Sequence, residues 1–273
     1  IEMPWVTHVP AILEIYLAGQ AGAGGLCDLV FGDVSPSGKL AETFPLALTD
    51  CPAQENFASH PRQIIYREGL NVGYRHFATQ QAPVLFPFGH GLSYTTFSYA
   101  NMRVTGDMSG HDLTLEVLVD VTNNGTRDGA ETVQLYVRDV EASVYRPDRE
   151  LKAFQKKHLA AGETATYTLT LDRRSFAFFD IDTSDWVIEP GAFELLLGAS
   201  STDIRLSAEI TLPGDAQRNV PRSHETPCII MTDAQLAARG LEITVPETIK
   251  PYHANTTLAD MKSTRLKSSQ VCQ

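Results

Sequence analysis

The chain has 273 residues, 43% of them hydrophobic and 20% charged, which is typical of a globular protein of about two domains and excludes disorder throughout. A formal net charge of -11, from 33 acidic and 22 basic residues, disfavours binding to nucleic acid or to an anionic membrane surface. No apolar stretch approaches the ~18 residues of a membrane-spanning helix. A neutral or cationic partner outside the membrane is therefore favoured.

The first 45 residues alternate short apolar runs with turn-forming segments. The apolar run 11–16 predicts a strand, the glycine-rich stretch 19–25 a loop, and the run 26–31 a short helix. Turn residues then precede a second predicted strand at 40–44. These elements indicate a β-α-β piece of a layered α/β domain, which cannot bury both faces of its strands by itself.

From residue 113 onward the apolar residues recur with a period of two, which is the pattern of half-buried strands. The predicted strands lie within 113–122, 133–137, 167–171, 193–197 and 204–210. Turn sequences at 123–125, 161–163 and 189–191 separate them, and no helical pattern intervenes. Short strands in this arrangement predict a β-sandwich of about 110 residues.

Beyond residue 212 the alternation stops. Thr232 and Gln235 have the spacing of a capping box that opens a short helix, and Gly240 is placed to close it. Thr257 and Asp260 predict the start of a second short helix. The intervening sequence is polar, and no compact domain is predicted for it.

Three segments, in this order, resemble glycoside hydrolase family 3. The first begins at Met-Pro-Trp (3–5) and continues through FGDVSPSGKL (31–40) and TFP (43–45); the others are YREGLNVGYR (66–75) and FPFGHGLSY (86–94). A weaker match at 146–154 and 161–163 resembles the fibronectin type III-like domain of such enzymes. The loop differs from the usual pattern, because Ala21 and Ala18 stand where the family has Glu and Pro.

The resemblance covers about residues 1–212 and implies a mixed, mainly β fold. A partial α/β layer is followed by a fibronectin type III-like (Ig-like) β-sandwich and a C-terminal extension. The expected division is 1–60 for the truncated end of the α/β domain, 61–94 for a crossing segment, 95–212 for the sandwich, and 213–273 for an extension with short helices.

The same resemblance implies a retaining, exo-acting β-glucosidase whose substrate is an oligo- or polysaccharide. Such hydrolysis needs two carboxyl groups ~5 Å apart across the scissile bond. Both align upstream of Ile1, where the chain opens without an initiator Met, so we expect a catalytically inactive fragment. The alternative is a non-catalytic β-sandwich module that binds polysaccharide or protein. Residues 1–45 disfavour it, because a free-standing module has no use for an incomplete α/β layer.

Glu68 lies in the second matched segment and is a candidate catalytic acid, because burial raises the pKa of a carboxyl group. We favour an interdomain structural role for it and its neighbours. The predicted set is Tyr66, Glu68, Gly69, Gly73, Tyr74, Arg75, Phe88 and His90. The polar members are expected to form hydrogen bonds and ion pairs, the glycines to allow close backbone approach, and the His90 ring nitrogens to bond to backbone groups.

Other motifs do not support a metal or a cofactor. The stretch 19–25 has the wrong glycine spacing for a nucleotide-binding loop, so a tight turn is expected there. The segment 180–191 begins like a calcium loop but lacks its glycine and its closing glutamate. His90 has no second histidine at metal-ligand spacing, and the four cysteines form no C-x-x-C pair.

Aromatic residues near the third turn allow two interpretations. Trp186 and Phe176, Phe178 and Phe179 would suit either the core between the sheets, which we favour, or a platform that stacks on sugar rings. Asn124 and Asn255 match the glycosylation acceptor pattern, which matters only in a secreted protein.

Overall fold

A computed structural model describes residues 3–54, 57, 65–108, 112–181, 183–215 and 231–241. The chain divides into two compact units. One unit contains residues 1–54 and 68–230, and the other contains residues 55–67 and 231–273. The predicted crossing segment 61–94 is thus shared between them.

The N-terminal part of the first unit contains two helices and one small sheet. Helix α1 (Gly22–Phe31) ends at Gly32, whose φ of 78° is the left-handed conformation that closes many helices. Strand β1 (Phe44–Pro45), helix α2 (Tyr74–Gln80) and strand β2 (Val84–Phe86) follow, and β1 pairs antiparallel with β2. Short 3-10 turns cover Val6–His8 and Leu48–Asp50.

This part corrects three sequence predictions. Residues 11–16 form no strand, because a strand needs a neighbouring edge for its hydrogen bonds and the described residues offer it none. The helix predicted over 26–31 begins four residues earlier, at Gly22, so residues 22–25 of the expected glycine-rich loop are helical. In the predicted strand 40–44 only Phe44 lies in a strand.

The sandwich contains seven long strands and one short hairpin. The long strands are β3 (Phe97–Asp107), β4 (Thr114–Asn123), β5 (Gly129–Asp139), β6 (Glu150–Leu159), β7 (Thr164–Asp172), β10 (Gly191–Gly198) and β11 (Ile204–Leu212). Strands β8 (Phe178–Asp180) and β9 (Asp185–Val187) form the hairpin, after a 3-10 turn at Arg173–Ser175. The predicted β-sandwich is confirmed.

Two antiparallel sheets enclose the core of the sandwich. One sheet has the order β11-β10-β5-β6 and the other the order β3-β4-β7. The alternating residues of β4 and β5 point between the sheets, where Val117, Val119 and Leu135 are fully buried. Strand β5 is also buried on its outer side, because Gln134 is 3% and Tyr136 0% exposed. Another part of the unit must therefore cover that side.

Two of the seven long sandwich strands were not predicted, and both lack a clean apolar alternation. Strand β3 carries a bulge between Ala100 and Arg103 where its register with β4 shifts. Strand β6 is rich in lysine and pairs along its length with β5. Each lies at the edge of its sheet, where charged side chains are common.

The described part of the second unit contains helix α3 (Asp233–Ala238). Thr232 and Gln235 form the predicted capping box, and Gly240 adopts a left-handed φ of 77° just after the helix. The second predicted helix, at Thr257, and the acceptor Asn255 lie outside the described residues. Among the described residues, no helix has the length and hydrophobicity needed to span a membrane.

Candidate functional site: a joint on the outer face of the sandwich

The outer face of β5 is covered by residues 32–41 and 71–92, and we call this contact region the joint. At its centre, the Gln134 side-chain nitrogen donates to the Gly89 carbonyl at 3.1 Å and to the Ala199 carbonyl at 2.9 Å. The Tyr136 hydroxyl donates to the Gln134 side-chain oxygen at 2.6 Å. One buried amide of β5 thus links the joint segment to the residue that follows β10.

Gly89 is required at this position for two physical reasons. Its φ of 79° is left-handed, and a Cβ built there would lie 2.8 Å from Cδ of Gln134. The neighbouring main chain is also fixed, because Gly89 N donates to Leu40 O and Leu40 N donates to His90 O, both at 2.8 Å. Residues 40 and 89–90 therefore pair with each other while they face the sandwich.

Aromatic rings surround this polar centre. The Tyr74 ring stacks on Phe88 with centroids 4.6 Å apart and meets Tyr136 edge-on at 5.9 Å. The Tyr74 hydroxyl accepts a 2.7 Å hydrogen bond from Leu151 N, at the start of β6. Burial raises the pKa of the Tyr136 hydroxyl, so this group remains a hydrogen-bond donor.

An ion-pair cluster lies beside the aromatic rings. Glu150 lies 3.0 Å from Arg75, 3.2 Å from Lys152 and 3.6 Å from Arg146. Burial alone would raise the pKa of the Glu150 carboxyl, but Lys152, Arg75 and Arg146 together hold that pKa below its usual value. Burial likewise lowers the pKa of Lys152, although Glu150 opposes that effect. Both side chains act as members of one charge cluster.

A second buried ion pair joins the family-like loop to β5. The Nζ of Lys39 lies 3.0 Å from Oε1 of Glu131, and their side chains are only 13% and 8% exposed. Lys39 Nζ also donates to Gly91 O at 3.2 Å. A buried charge needs such partners, because its removal from water is costly.

Polar contacts continue the joint along both ends of the sandwich. Near α1, Arg127 donates to Gly32 O at 2.8 Å and Ser35 Oγ donates to Asp128 O at 2.8 Å. At the other end, Tyr145 in the β5–β6 loop donates to the Asn71 side-chain oxygen at 2.7 Å. The joint is therefore a broad surface and not a single hinge contact.

Arg146 holds the β5–β6 loop in position. Its side chain is 9% exposed, lies 3.0 Å from Asp139 and donates to Phe176 O at 2.9 Å. Burial raises the pKa of the Asp139 carboxyl, an effect that Arg146 opposes and Glu189 increases.

The structure places the eight predicted interdomain residues unequally. Tyr74, Arg75 and Phe88 contact the joint as described above. Tyr66 is 76% exposed and belongs to the second unit. Glu68 lies in a turn in which Asn71 N donates to Glu68 O at 2.9 Å, and its carboxylate has no ion-pair partner among the described residues.

The two glycines and His90 differ from expectation. Gly69 and Gly73 have φ values of 57° and 61°, and a Cβ at either would meet nothing within 4 Å, so they serve backbone conformation and not close approach. His90 is held by its main chain, and its ring stacks on Phe86 at 5.5 Å. Among the described residues, no backbone group forms a hydrogen bond with a ring nitrogen of His90.

Two histidines near the joint favour the neutral form. Burial lowers the pKa of His90, and Lys39 lowers it further while Asp203 opposes the shift. Burial also lowers the pKa of His76, against the opposing charge of Glu68. No group of three or more metal-ligating side chains occurs within the described ranges of the chain.

The candidate sugar platform is partly occupied by protein. The guanidinium of Arg174 lies 3.5 Å from the centre of the Trp186 ring, and Trp186 is packed against the core. Phe176 is fully buried, as core packing predicts, but Phe179, in the separate two-stranded sheet β8–β9, is 49% exposed. In that hairpin, Thr183 donates to the buried carboxylate of Asp180 at 2.8 Å.

Sequence reasoning did not identify Lys39, Glu131 or Gln134 as joint residues. Lys39 lies inside the first matched segment, where the sequence does not distinguish it from the other loop residues. Glu131 and Gln134 lie in a strand, and a single sequence does not show whether the outer face of a strand is covered. The available signal is the polar Gln134 between Val133 and Leu135, at a position that proves to be buried.

Two family models match the chain. The glycosyl hydrolase family 3 C-terminal domain matches residues 1–94, and the fibronectin type III-like domain matches residues 131–201. The first range supplies the joint segments, and the second contains most of β5 and all of β6 and β10. The matches therefore meet at the joint.

Known proteins match over the same part of the chain. Thermostable β-glucosidase B of Acetivibrio thermocellus is 48% identical over 77% of this chain, and the exo-α-(1→6)-L-arabinopyranosidase of Bifidobacterium breve is 42% identical over 78%. The crystal structure of a family 3 β-glucosidase from Bifidobacterium adolescentis matches 86% of this chain with a TM-score of 0.74 and 42% identity. The chain spans 28% of the length of each of the two relatives and 33% of that crystallised chain.

The fold and the joint together define the chain as a C-terminal region of the glycosidase class, in which an α/β piece is fastened to a fibronectin type III-like sandwich. The chain belongs to glycoside hydrolase family 3.

Proposed function

We propose that this chain is the C-terminal part of a retaining, exo-acting β-glucosidase that hydrolyses terminal β-D-glucosyl residues. Its own role is to support the catalytic domains and to pack against them. The relatives named above include β-glucosidases that are more than three times as long as the matched region. The two carboxyl groups of a retaining mechanism would be supplied by that additional length.

The observation that carries this proposal is a set of exposed apolar side chains in the α/β piece. Leu17 is 100%, Phe31 79% and Val30 59% exposed, and Leu13 and Ile15 are more than 40% exposed. Such a concentration of exposed apolar side chains marks an interaction surface. The missing neighbours are, on this proposal, the rest of the family 3 C-terminal domain.

The proposal also includes the predicted domain division and the interdomain role of the eight predicted residues. Strand β3 begins at Phe97 and β11 ends at Leu212, which supports 95–212 as the sandwich. Contacts of Tyr74, Arg75 and Phe88 support a crossing role for the part of the predicted segment 61–94 that begins at residue 68.

The proposal is tested with an aryl β-glucoside. The chain alone should hydrolyse none of it above the buffer rate, whereas the full reading frame that contains the chain should hydrolyse it with retention of configuration. In that longer protein, Phe31→Asp should reduce activity, while Ile181→Asp, at an 81% exposed position of the β8–β9 hairpin, should leave it unchanged. Turnover by the chain alone that disappears in Glu68→Gln would contradict the proposal.

Titration with cellulose, laminarin and xylan separates this proposal from the binding-module alternative. We expect no saturable binding, because Arg174 covers the Trp186 ring. Saturable binding at micromolar protein that is lost in Trp186→Ala would favour the alternative.

A further inference from the structure

The second unit contains an arginine that binds the C-terminal extension at several points. Met231 N donates to Arg67 O at 3.0 Å, and Nη1 of Arg67 donates to Met231 O at 3.1 Å. Nη2 of Arg67 lies 2.6 Å from Oδ1 of Asp233, the first residue of α3. The main chain and the side chain of one residue thus hold the same short segment.

Burial shows that this contact is more than a surface ion pair. The Arg67 side chain is only 14% exposed, although that of Asp233 is 74% exposed. Leu236, one turn further along α3, is 1% exposed. A six-residue helix is not stable alone in water, so packing of this kind has to account for α3.

The contact joins two parts of the chain with different relationships to the family. Arg67 lies within the range 1–94 that matches the family 3 C-terminal domain. Residues 231–241 lie outside both matched ranges, the second of which ends at residue 201. Arg67 is also the second residue of the family-like segment Tyr66–Arg75.

We propose that residues 231–241 of the C-terminal extension form an intramolecular clasp, anchored on Arg67, that fixes the main chain of residues 65–67. On the family domain, the contact is made by the guanidinium and the main-chain carbonyl of Arg67. The matching element of the extension is Met231 with Asp233, seated by the buried Leu236.

The test is hydrogen–deuterium exchange, followed by mass spectrometry, on the full chain. Asp233→Ala and Leu236→Ala should each speed exchange at Arg67 and Met231 about tenfold, since they remove a charged hydrogen bond and a buried anchor. Leu241→Ala is the matched control, because Leu241 lies in the same segment but is 49% exposed. It should leave the exchange of both residues unchanged.

Arg67→Lys adds a graded result. Lysine keeps the charge but lacks the fork that reaches Met231 O and Asp233 together, so we expect an increase in exchange smaller than that of Asp233→Ala. Exchange in β4 and β10 should be unaffected in every variant. Faster exchange confined to α3, with Arg67 and Met231 unchanged in both Asp233→Ala and Leu236→Ala, would overturn the proposal.

Discussion

The Nζ of Lys39 lies 3.0 Å from Oε1 of Glu131, and this ion pair connects a loop of the α/β piece to strand β5 of the sandwich. Removing one member of a buried ion pair leaves the other charge unpaired. We therefore expect Lys39→Met to lower the free energy of unfolding by about 3 kcal/mol, measured by urea denaturation.

Arg205→Ala is the control for this prediction. Arg205 pairs with Asp203 at 2.6 Å, but both side chains are more than 40% exposed. Its removal should cost no more than ~1 kcal/mol. Equal losses in the two variants would mean that the Lys39–Glu131 pair behaves as a surface pair.

Gly89→Ala should destabilise the joint by about 3 kcal/mol, since a left-handed residue with a Cβ costs ~1–2 kcal/mol and the overlap with Gln134 adds to it. Gly162→Ala provides the comparison. Gly162 has a similar φ of 75° with nothing within 4 Å, so only the conformational cost, ~1–2 kcal/mol, applies. Thermal unfolding of both variants measures the difference, which should disappear if Gln134 can move aside.

Leu135→Asp should unfold the sandwich. An unpaired charge in the core costs several kcal/mol, a large share of the roughly 5–15 kcal/mol that stabilises a typical domain. Phe154→Asp, at a 68% exposed position of the partner strand β6, should fold normally. Circular dichroism distinguishes the two, and a folded Leu135→Asp protein would show that the core assignment is wrong.

Acid should destabilise the joint through His90. Its pKa is lowered in the folded protein, so above pH ~6.5 the ring is neutral in both states and the stabilisation is complete. As the pH falls below that value the unfolded chain binds the proton first, and the free energy of unfolding decreases until the pH passes the pKa of His90 in the folded protein.

Urea denaturation at pH 7.5 and 5.5 should show a smaller decrease in the free energy of unfolding for His90→Gln than for the unmodified chain. The exposed His8→Gln serves as control and should keep the full decrease.

The sequence predicted the long strands whose apolar residues recur at every second position. Strands β4, β7 and β11 alternate apolar and polar residues, because one face meets the core and the other meets water. Strands β3 and β6 escaped prediction, since bulged or lysine-rich edge strands lack that contrast. For residues 11–16 a strand was predicted but none is formed. Their apolar pattern is that of a strand, but the described residues contain no neighbouring strand that could pair with it.

The joint was predicted only in part, for a related reason. Tyr74, Arg75 and Phe88 lie in family-like segments and could be recognised locally. Gln134 and Glu131 acquire their roles from segments more than 40 residues away along the chain. Their burial depends on which face of the sheet is covered, and that is a property of the tertiary structure.

The two carbonyls bound by Gln134 bear on how such proteins recombine during evolution. One belongs to Gly89 in the α/β segment and the other to Ala199 in the sandwich, and the position facing Gln134 has no room for a side chain. A sandwich taken from another protein would pack against Gly89 only if the position of Gln134 carried a side chain of similar length that can donate a hydrogen bond to the Gly89 carbonyl. We therefore expect Gly89 and Gln134 to be inherited together, and an exchange of the sandwich alone to disrupt the joint.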